Sequence, residues 1–442
     1  MDVLMVTAEL APYARVTAAG DLVLALTKGL RQLGHRVTIA LPRYAAFEEH
    51  GLLLARRLTP LTVPGGEVTV FDGQHSSGAE LVLFDVPGLT SPGELAASDP
   101  DARTIAAFEQ PGRAAAGLVA QRREQQPFDV VHAHDWPGGL VAPYLDAASP
   151  LVLSVYGAPR QPLAAALSRA RAVACPAPSF AARLGEPVVS GSLSAAFAAL
   201  REPVFGVTSG LDYATYNPAT DPALEARYDA EESDAKARTK GVVQRELRLE
   251  LDIHKPLMLY AGPLDTAHGA DLVLAALADL ARLPVALVVA PTEPGGLIAE
   301  FRAAAAARPE SLAVIDASDH GTLRRLHAAA DFALVVPRDA PCETAQLVAQ
   351  RYGALPVAYA AFAVNDTVVD VDAALETGTG FLFDKLDRGA LVGAVERALA
   401  AHANEAGWAR LRRRVMRLDL GWDRPARRYA QIYRRAVEPA VG

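Results

Sequence analysis

The stretch PLMLYAGPLDTAHGADLVLAALADLARLPVALVVAP, residues 256–291, contains one complete strand, helix and strand unit. The apolar runs at its two ends, 256–262 and 285–291, have the length of buried strands, and the Ala/Leu-rich segment between them favours a helix. Two buried strands joined by a helical crossover are typical of a parallel sheet that is covered by helices. This unit therefore predicts an α/β fold.

The same alternation continues in both directions from this unit. Strand-like runs begin in the first half at residues 2, 36, 80, 129, 151, 172 and 204, and in the second half at 256, 285, 312, 332, 355 and 380. The charged segment 227–255 between the halves predicts a helix followed by a hinge near Asp252. The pattern therefore predicts two Rossmann-like lobes with a cleft between them.

Length and composition agree with two globular lobes. The chain has 442 residues, of which 51% are hydrophobic and 21% are charged, and a single hydrophobic core rarely extends over so many residues. The net charge of −8 provides no general basic field for nucleic acid or for an anionic membrane. We therefore expect neither of them as a partner.

Cysteine usage and the first residues bear on location. Cys175 and Cys342 are the only cysteines in the chain, too few for a disulfide framework or a zinc cluster, and we expect both to be small buried residues in a reducing compartment. The opening MDVLMVTAEL has no basic flank and too short an apolar run for a signal peptide or a membrane span. We therefore predict a cytoplasmic protein with no membrane contact.

Several blocks of the sequence follow the order of a known family. They are residues 5–44, VHAHDW at 131–136, NPATDP at 217–222, LVVPRDAPCETAQLVAQRYG at 334–353 and GTGFLFD at 378–384. In these blocks the chain resembles bacterial glycogen and starch synthases, which use ADP-glucose, and residues 334–353 are similar to the family block MPSRFEPCGLTQLYALRYG. The resemblance extends over essentially the whole chain. It implies the GT-B fold, with lobes at 1–252 and 253–418 and a final helix, within 419–442, that crosses back to the first lobe.

The resemblance also implies a reaction. Family members transfer glucose from ADP-glucose to the end of an α-1,4-glucan with retention of configuration, and charge develops on the departing diphosphate. Their sites neutralise that charge with an arginine, a lysine and main-chain N–H groups, without a metal. We accordingly predict neither a metal nor another cofactor.

In the second lobe, the family positions that serve this chemistry carry other residues. The arginine and lysine of the block SRLTDQKGLDLL correspond to Pro263 and His268, and the family glutamate corresponds to Ala340. A proline donates no hydrogen bond, and a neutral histidine is a poor substitute for a fixed cation. His268 could still contact phosphate when protonated, but we favour a role as an ordinary polar residue after a strand.

Two glycine-dependent positions of the second lobe are also altered. A family glycine that faces the sugar nucleotide corresponds to Glu343, and the diphosphate-binding turn Thr-Gly-Gly-Leu corresponds to residues 361–364, with Phe362 and Ala363 in place of its glycines. Side chains at these positions obstruct the close approach of main chain to phosphate.

The first lobe departs in the same way. The family loop Lys-Thr-Gly-Gly-Leu-Gly-Asp corresponds to residues 15–21, in which Thr17 replaces a glycine while Gly20 and Asp21 are retained. We expect Arg15 to be the best remaining anion contact and Asp21 to cap the following helix.

Beyond this loop, the same lobe combines one replacement with two retained residues. Tyr156 replaces the family histidine that backs the glucose, whereas Asp135 and Trp136 are retained. His132 and His134 lack the further ligands that a metal requires.

These replacements predict a pseudoenzyme, because they fall on donor-binding positions while strands and turns are retained. We expect ADP-glucose to bind weakly or not at all, and we expect the protein to bind α-glucan or to pair with an active glycogen synthase. Two alternatives stay open: an active retaining glucosyltransferase with an altered donor site, and a purely structural partner protein. If the protein is an enzyme, it is a retaining glycosyltransferase of the glycogen/starch synthase type.

Overall fold

The computed structural model describes residues 1–96, 100–293, 295–317 and 319–438. The chain forms two compact α/β units, one from Met1–Ser209 together with Trp422–Gly442 and the other from Gly210–Gly421. The division lies before the predicted boundary at 252, because the segment that follows residue 209 packs within the second unit. Asp221 forms a buried ion pair with Arg324, and Lys240 on the predicted inter-lobe helix forms another with Asp331 at 2.6 Å.

Strands β1 to β10 and helices α1 to α8 belong to the first unit. The strands are β1 (Asp2–Val6), β2 (Arg36–Pro42), β3 (Ala55–Arg56), β4 (Leu61–Val63), β5 (Gly66–Gln74), β6 (Glu80–Asp85), β7 (Val130–His134), β8 (Leu151–Ser154), β9 (Ala172–Cys175) and β10 (Phe205–Gly206). The helices are α1 (Ala18–Gln32), α2 (Ala46–Glu49), α3 (Ala102–Arg122), α4 (Asp135–Gly139), α5 (Ala164–Arg169), α6 (Pro178–Arg183), α7 (Pro187–Ser190) and α8 (Ser194–Ala198).

The sheet of the first unit has the order β10-β9-β8-β7-β1-β2-β6-β5-β3, with β4 paired to β5. Its strands from β10 to β6 are parallel, as predicted. The antiparallel strands β3, β4 and β5 were not predicted, because their mixed polar and apolar sequence lacks a continuous buried run. The strand order reverses at β1, because β2 and β6 lie on one side of β1 and β7 to β10 lie on the other. β1 and β7 are therefore neighbours at this switch point, and their carboxyl ends carry the candidate site of this unit.

The second unit contains a parallel sheet of order β13-β12-β11-β14-β15-β16 within the described residues. Its strands are β11 (Leu257–Gly262), β12 (Ala286–Pro291), β13 (Leu312–Val314), β14 (Phe332–Val335), β15 (Leu355–Tyr359) and β16 (Phe381–Phe383). Its helices are α9 (Ala235–Glu246), α10 (Ala270–Leu280), α11 (Ile298–Ala307), α12 (His320–Ala329), α13 (Ala345–Arg351), α14 (Phe362–Thr367), α15 (Arg388–Ala403) and α16 (Glu405–Met416).

Alternate residues of the central strand β11 enter two separate cores. Met258 and Tyr260 pack into one core, and Leu257 and Leu259 pack into the other. Successive side chains of a strand point to opposite faces, so both faces of this sheet are covered. This is the doubly wound arrangement that the sequence predicts.

The last helix, α17 (Asp423–Val437), belongs to the first unit. Its buried face includes Tyr429 and Tyr433, and it lies against α1, where a Cβ on Gly29 would come within 2.7 Å of the Ala426 Cβ. The predicted return of the final helix to the first lobe is therefore confirmed. In the described part of the chain, no helix is both long and apolar enough to cross a membrane.

Candidate functional site

In the first unit, the loop before α1 is held by a buried carboxylate. Glu9 Oε2 accepts hydrogen bonds from the main-chain N–H groups of Val16 and Thr17 at 2.7 Å each, and Glu9 Oε1 accepts one from the Thr17 hydroxyl at 2.7 Å. Burial raises the pKa of the Glu9 carboxyl, and the hydrogen bonds from Thr17 and Val16 oppose that rise. The carboxylate therefore occupies the main-chain N–H groups of Val16 and Thr17.

One predicted role in this loop is wrong, that of Asp21 as the helix cap, whereas the predicted anion contact by Arg15 stays a prediction. Arg15 forms an ion pair with Asp21. The predicted cap Asp21 lies in the first turn of α1, and the N-cap is Thr17, whose hydroxyl accepts from the Ala19 N–H. Gly20 packs against the preceding loop, because a Cβ there would lie 3.0 Å from the Ala14 carbonyl oxygen.

Asp135 lies beside this loop, at the end of β7. Its backbone φ of 54° is in the left-handed region, which aspartate tolerates better than most residues. Burial raises the pKa of its carboxyl, and hydrogen bonds from the N–H groups of Trp136, Tyr156 and Gly157 oppose this. Asp135 also interacts electrostatically with Glu9. The structure thus brings together Thr17, Asp135 and the Tyr156 main chain.

The Tyr156 and Trp136 side chains are directed into the protein. The Tyr156 hydroxyl lies 2.7 Å from His134 Nδ1, and the tyrosine is only 5% exposed. Trp136 is 3% exposed and makes an edge-to-face contact with Phe108 at a centroid distance of 5.5 Å. Trp136 therefore supports packing in this unit.

A buried polar network connects β7 and β8 with α17. His132 Nδ1 lies 2.8 Å from the Tyr433 hydroxyl, His132 Nε2 lies 2.8 Å from Ser154 Oγ, and Ser154 Oγ lies 3.2 Å from the Tyr429 hydroxyl. The serine–histidine distance would suit nucleophilic catalysis, but His132 and Ser154 are both 0% exposed and no substrate can reach them. Burial lowers the pKa of His134 to about 3 and that of His132 well below its ordinary value.

In the second unit, the turn after β11 carries Pro263 and His268. Asp265 Oδ1 lies 2.7 Å from His268 Nδ1 and accepts the His268 main-chain N–H at 2.9 Å. The His268 carbonyl accepts the Tyr260 hydroxyl at 2.9 Å. The imidazole is therefore part of a turn that Asp265 closes, and its predicted role as an ordinary polar residue stays a prediction.

Glu343 caps the amino end of α13. Its Oε1 accepts hydrogen bonds from the main-chain N–H groups of Thr344 at 2.9 Å and Ala345 at 2.8 Å. A carboxylate is stabilised by the partial positive charge at a helix amino end. These N–H groups are consequently bonded within the protein.

The turn 361–364 adopts a glycine-like conformation although it contains no glycine. Phe362 has φ 47° and is 9% exposed, and Ala363 is also buried. Gln346 links this turn to the Glu343 segment, because its Nε2 donates to the Glu343 carbonyl at 2.9 Å and to Thr367 Oγ1 at 3.2 Å. Thr367 in turn donates to the Ala363 carbonyl at 2.6 Å.

Acidic side chains surround this part of the second unit. Glu343, Asp265 and Asp271 all interact electrostatically with Tyr260, whose pKa is raised chiefly by burial. Burial also raises the pKa of Glu293, which faces His268 and Asp265. The nearby arginine, Arg338, is bonded to Asp271 at 2.9 Å. Ala340, half-buried in the same segment, provides only a methyl group.

Sequence reasoning singled out Glu343, Phe362 and His268 but missed three charged residues that organise these regions. Asp265 bonds His268, Arg338 bonds Asp271, and Glu9, six residues before Arg15, bonds the loop before α1. Their acidic or basic character at strand ends was the available signal. In the described residues, no group of three or more His, Cys, Asp or Glu side chains could hold a metal ion.

Comparison with known proteins identifies the family. The chain is 31% identical to a glycogen synthase of Anaeromyxobacter sp. (strain Fw109-5), over an alignment of 494 residues that covers 99% of this chain and 100% of that protein. The chain belongs to the glycogen synthase family. A glycogen synthase of Acidiphilium cryptum (strain JF-5) is 32% identical, with 98% and 99% of the two chains covered, and the family model for the starch synthase catalytic domain matches residues 2–166.

Solved structures support the fold of this glycogen synthase family member. The catalytic domain of starch synthase IV from Arabidopsis thaliana, solved bound to ADP and acarbose, has a TM-score of 0.88 at 23% identity and covers 98% of this chain and 99% of that chain. Sucrose-phosphate synthase from Thermosynechococcus elongatus has a TM-score of 0.65 at 18% identity, with 98% of each chain covered. The predicted GT-B fold is therefore confirmed.

Proposed function

We propose that this protein is a non-catalytic member of the glycogen synthase family. It does not transfer glucose from ADP-glucose, and it acts in glycogen metabolism by binding α-glucan or by pairing with an active synthase. One observation carries the proposal. The Glu343 carboxylate is bonded to the main-chain N–H groups of Thr344 and Ala345, at a position where the family motif has a glycine that faces the anionic donor.

Electrostatics around Glu343 support the same conclusion. Asp265 and Asp271 act on Tyr260 together with Glu343, Glu293 interacts with Asp265, and Arg338 is engaged by Asp271. Pro263 offers no donor in place of the family arginine, and His268 is bonded to Asp265. The local charge is therefore unfavourable for a nucleotide sugar.

The expected effect on catalysis is large. Removal of a single preorganised donor to a developing anion typically raises the barrier by about 2.7–4 kcal/mol. Pro263, His268 and Ala340 together replace three family groups, and such losses are coupled, so their costs are not added. Even one of them would make a slow enzyme.

Binding is tested by calorimetric titration of the purified protein with ADP and with ADP-glucose. We expect dissociation constants of about 1 mM or weaker, corresponding to about −4 kcal/mol or less favourable. The Anaeromyxobacter glycogen synthase is the positive control. Micromolar affinity for ADP would refute the proposed loss of the donor site.

Turnover is tested by transfer of labelled glucose from ADP-glucose to glycogen. We expect incorporation equal to that of a control without protein. The triple variant Pro263→Arg, His268→Lys, Ala340→Glu is expected to stay near this level, because Glu343 and Phe362 still occupy their positions. Robust transfer by the unmodified protein would overturn the proposal.

Two further measurements separate the alternatives. Turnover with UDP-glucose or GDP-glucose, but not with ADP-glucose, would identify an active transferase with an altered donor. Titration with a linear maltooligosaccharide tests the glucan-binding role directly. If neither glucan nor an active glycogen synthase binds, the proposed role is wrong and a purely structural partner protein remains.

A further inference from the structure

The outer face of α17 carries a row of arginines. Arg424, Arg427, Arg428, Arg434 and Arg435 are all exposed, whereas the opposite face of the helix packs into the first unit through residues such as Tyr429 and Tyr433. At 1.5 Å per residue, the row from Arg424 to Arg435 is about 16 Å long. The concentration is unusual because the whole chain has a net charge of −8.

Helix stability does not account for this row. Cations are favourable near the carboxyl end of a helix and unfavourable near its amino end, yet Arg424, Arg427 and Arg428 lie in the first half of α17. Like charges three or four residues apart are also destabilising, by about 0.2–0.5 kcal/mol per pair. The arrangement therefore has a small cost for the isolated helix.

The arginines are only partly used inside the protein. Arg435 forms an exposed ion pair with Glu202 at 3.1 Å, and Arg428 and Arg435 lie over the Phe205 ring at 5.5 and 5.4 Å. Arg427 and Arg434 make no ion pair with any described residue. Burial lowers the pKa of His35, and the positive charges of the terminal amine and of Arg434 lower it further.

We propose that this row, the α17 arginine face, docks a protein partner through a surface rich in aspartate and glutamate. Guanidinium groups form planar, paired hydrogen bonds with carboxylates, and the row matches an acidic helix or strand of similar length. The inference rests on the proposed function, in which the protein acts by binding a partner, and it assigns the surface that binds that partner.

Other anionic macromolecules fit this face less well. A helix that lies on a membrane needs a continuous apolar face toward the lipid. Among the described residues of α17, the exposed large apolar side chain is Val437, which is 37% exposed. Nucleic acid needs a basic field over a wider surface, which a chain of net charge −8 does not provide. A short protein surface rich in carboxylates therefore fits the α17 arginine face best.

The test uses the full chain and fluorescent poly-L-glutamate as the probe, followed by fluorescence anisotropy at low and moderate salt. The variant Arg427→Glu/Arg434→Glu is compared with Arg302→Glu/Arg410→Glu, which changes the net charge equally at exposed arginines of α11 and α16. We expect the first variant to weaken binding at least tenfold and the second less than twofold. Circular dichroism melts establish that both variants are folded.

Three results would overturn the proposal. They are the absence of probe binding by the unmodified protein, equal weakening in both variants, and tighter binding to phosphatidylserine vesicles or duplex DNA than to poly-L-glutamate. ADP titration of the same variants separates this inference from the proposed function, since neither variant alters the donor positions. A failed docking surface thus leaves the conclusion about donor loss intact.

Discussion

At the residue scale, Phe362 adopts a backbone conformation that glycine favours and other residues rarely adopt. A residue other than glycine in the left-handed region costs on the order of 1 kcal/mol, and Phe362 has φ 47°. The side chain is buried, so its packing offsets this strain. The position therefore combines a glycine-like main-chain conformation with an apolar side-chain contact.

This strain predicts that a glycine variant at position 362 is more stable than an alanine variant, the reverse of their order inside a helix. We expect Phe362→Gly to be more stable than Phe362→Ala by about 1 kcal/mol, because glycine adopts the positive φ without cost. Phe301, buried within α11, is the control, and there the alanine variant should be the more stable by about 0.5–1 kcal/mol. Urea unfolding measures the free energy of unfolding of the four variants. If the same residue, glycine or alanine, gives the more stable variant at both positions, the explanation is contradicted.

Residue identities in the sequence predict altered donor positions, but they do not describe the contacts of those residues. Replacement of glycine by Glu343 predicts a carboxylate near the family donor site. It does not predict that this carboxylate turns back onto the N–H groups of Thr344 and Ala345. Arg15 illustrates the same limit, because its pairing with Asp21 depends on a side-chain conformation that no sequence pattern specifies.

At the element scale, α17 is fixed to the first sheet by hydrogen bonds as well as by packing. Tyr433 lies at hydrogen-bond distance from His132, and Tyr429 from Ser154. These contacts are buried, and a buried polar group that loses its partner costs about 1–3 kcal/mol. His132 of the VHAHDW block thus has a structural use in holding the last helix.

We expect Tyr433→Phe to destabilise the protein by about 1–3 kcal/mol, because it leaves His132 Nδ1 without a partner. Tyr429→Phe should cost less, because Ser154 retains its contact with His132. Chemical denaturation monitored by circular dichroism measures both. A larger loss for Tyr429→Phe would show that the network is not organised around His132.

Lys236 joins three elements of the second unit. Its ammonium group, on α9, donates to the carbonyls of His327 at 3.3 Å, Ala328 at 2.8 Å and Tyr352 at 3.0 Å. These carbonyls lie at the carboxyl ends of α12 and α13, where a positive charge is favourable. Helix α13 therefore has a carboxylate at its amino end and an ammonium at its other end, both supplied by the protein.

The position of Lys236 predicts a pH-dependent stability. Burial lowers its pKa from 10.5 to about 7 in the folded protein, so the unfolded chain binds more protons between these values and stability rises with pH across this range. We expect this slope, at most about 1.4 kcal/mol per pH unit, to disappear in Lys236→Met and to persist in the exposed control Lys385→Met. Urea unfolding at several pH values measures it, and identical slopes in all three proteins would contradict the assignment.

At the scale of the whole molecule, the two units differ in how the chain builds them. The second unit is continuous, whereas the first requires residues from both ends of the chain. The sequence predicted two lobes and the returning helix, because strand runs and family blocks mark them. It placed the boundary at 252 instead of 209, because the charged segment around α9 has the composition of a linker although Lys236 and Lys240 are buried.

The discontinuous first unit predicts unequal behaviour of fragments. We expect a fragment of residues 210–421 to melt cooperatively, and a fragment of residues 1–209 to be unfolded or aggregated, because His132 and the apolar surface beneath α17 lose their cover. Fusion of residues 422–442 to 1–209 through a Gly/Ser linker should restore a cooperative transition. Calorimetry of the three fragments decides this, and a stable fragment 1–209 would contradict the expectation.

The return of α17 also sets an order for events at the ribosome. The first unit is begun first, but it cannot be completed until its closing helix, which starts more than 200 residues after Ser209, has emerged. At 5–20 residues per second, this delay lasts roughly 10–40 s. During that interval the second unit can fold, while the nascent first unit exposes the groove that α17 will fill. The half of the protein made first is therefore finished last, and nascent chains will depend on chaperones mainly through that groove.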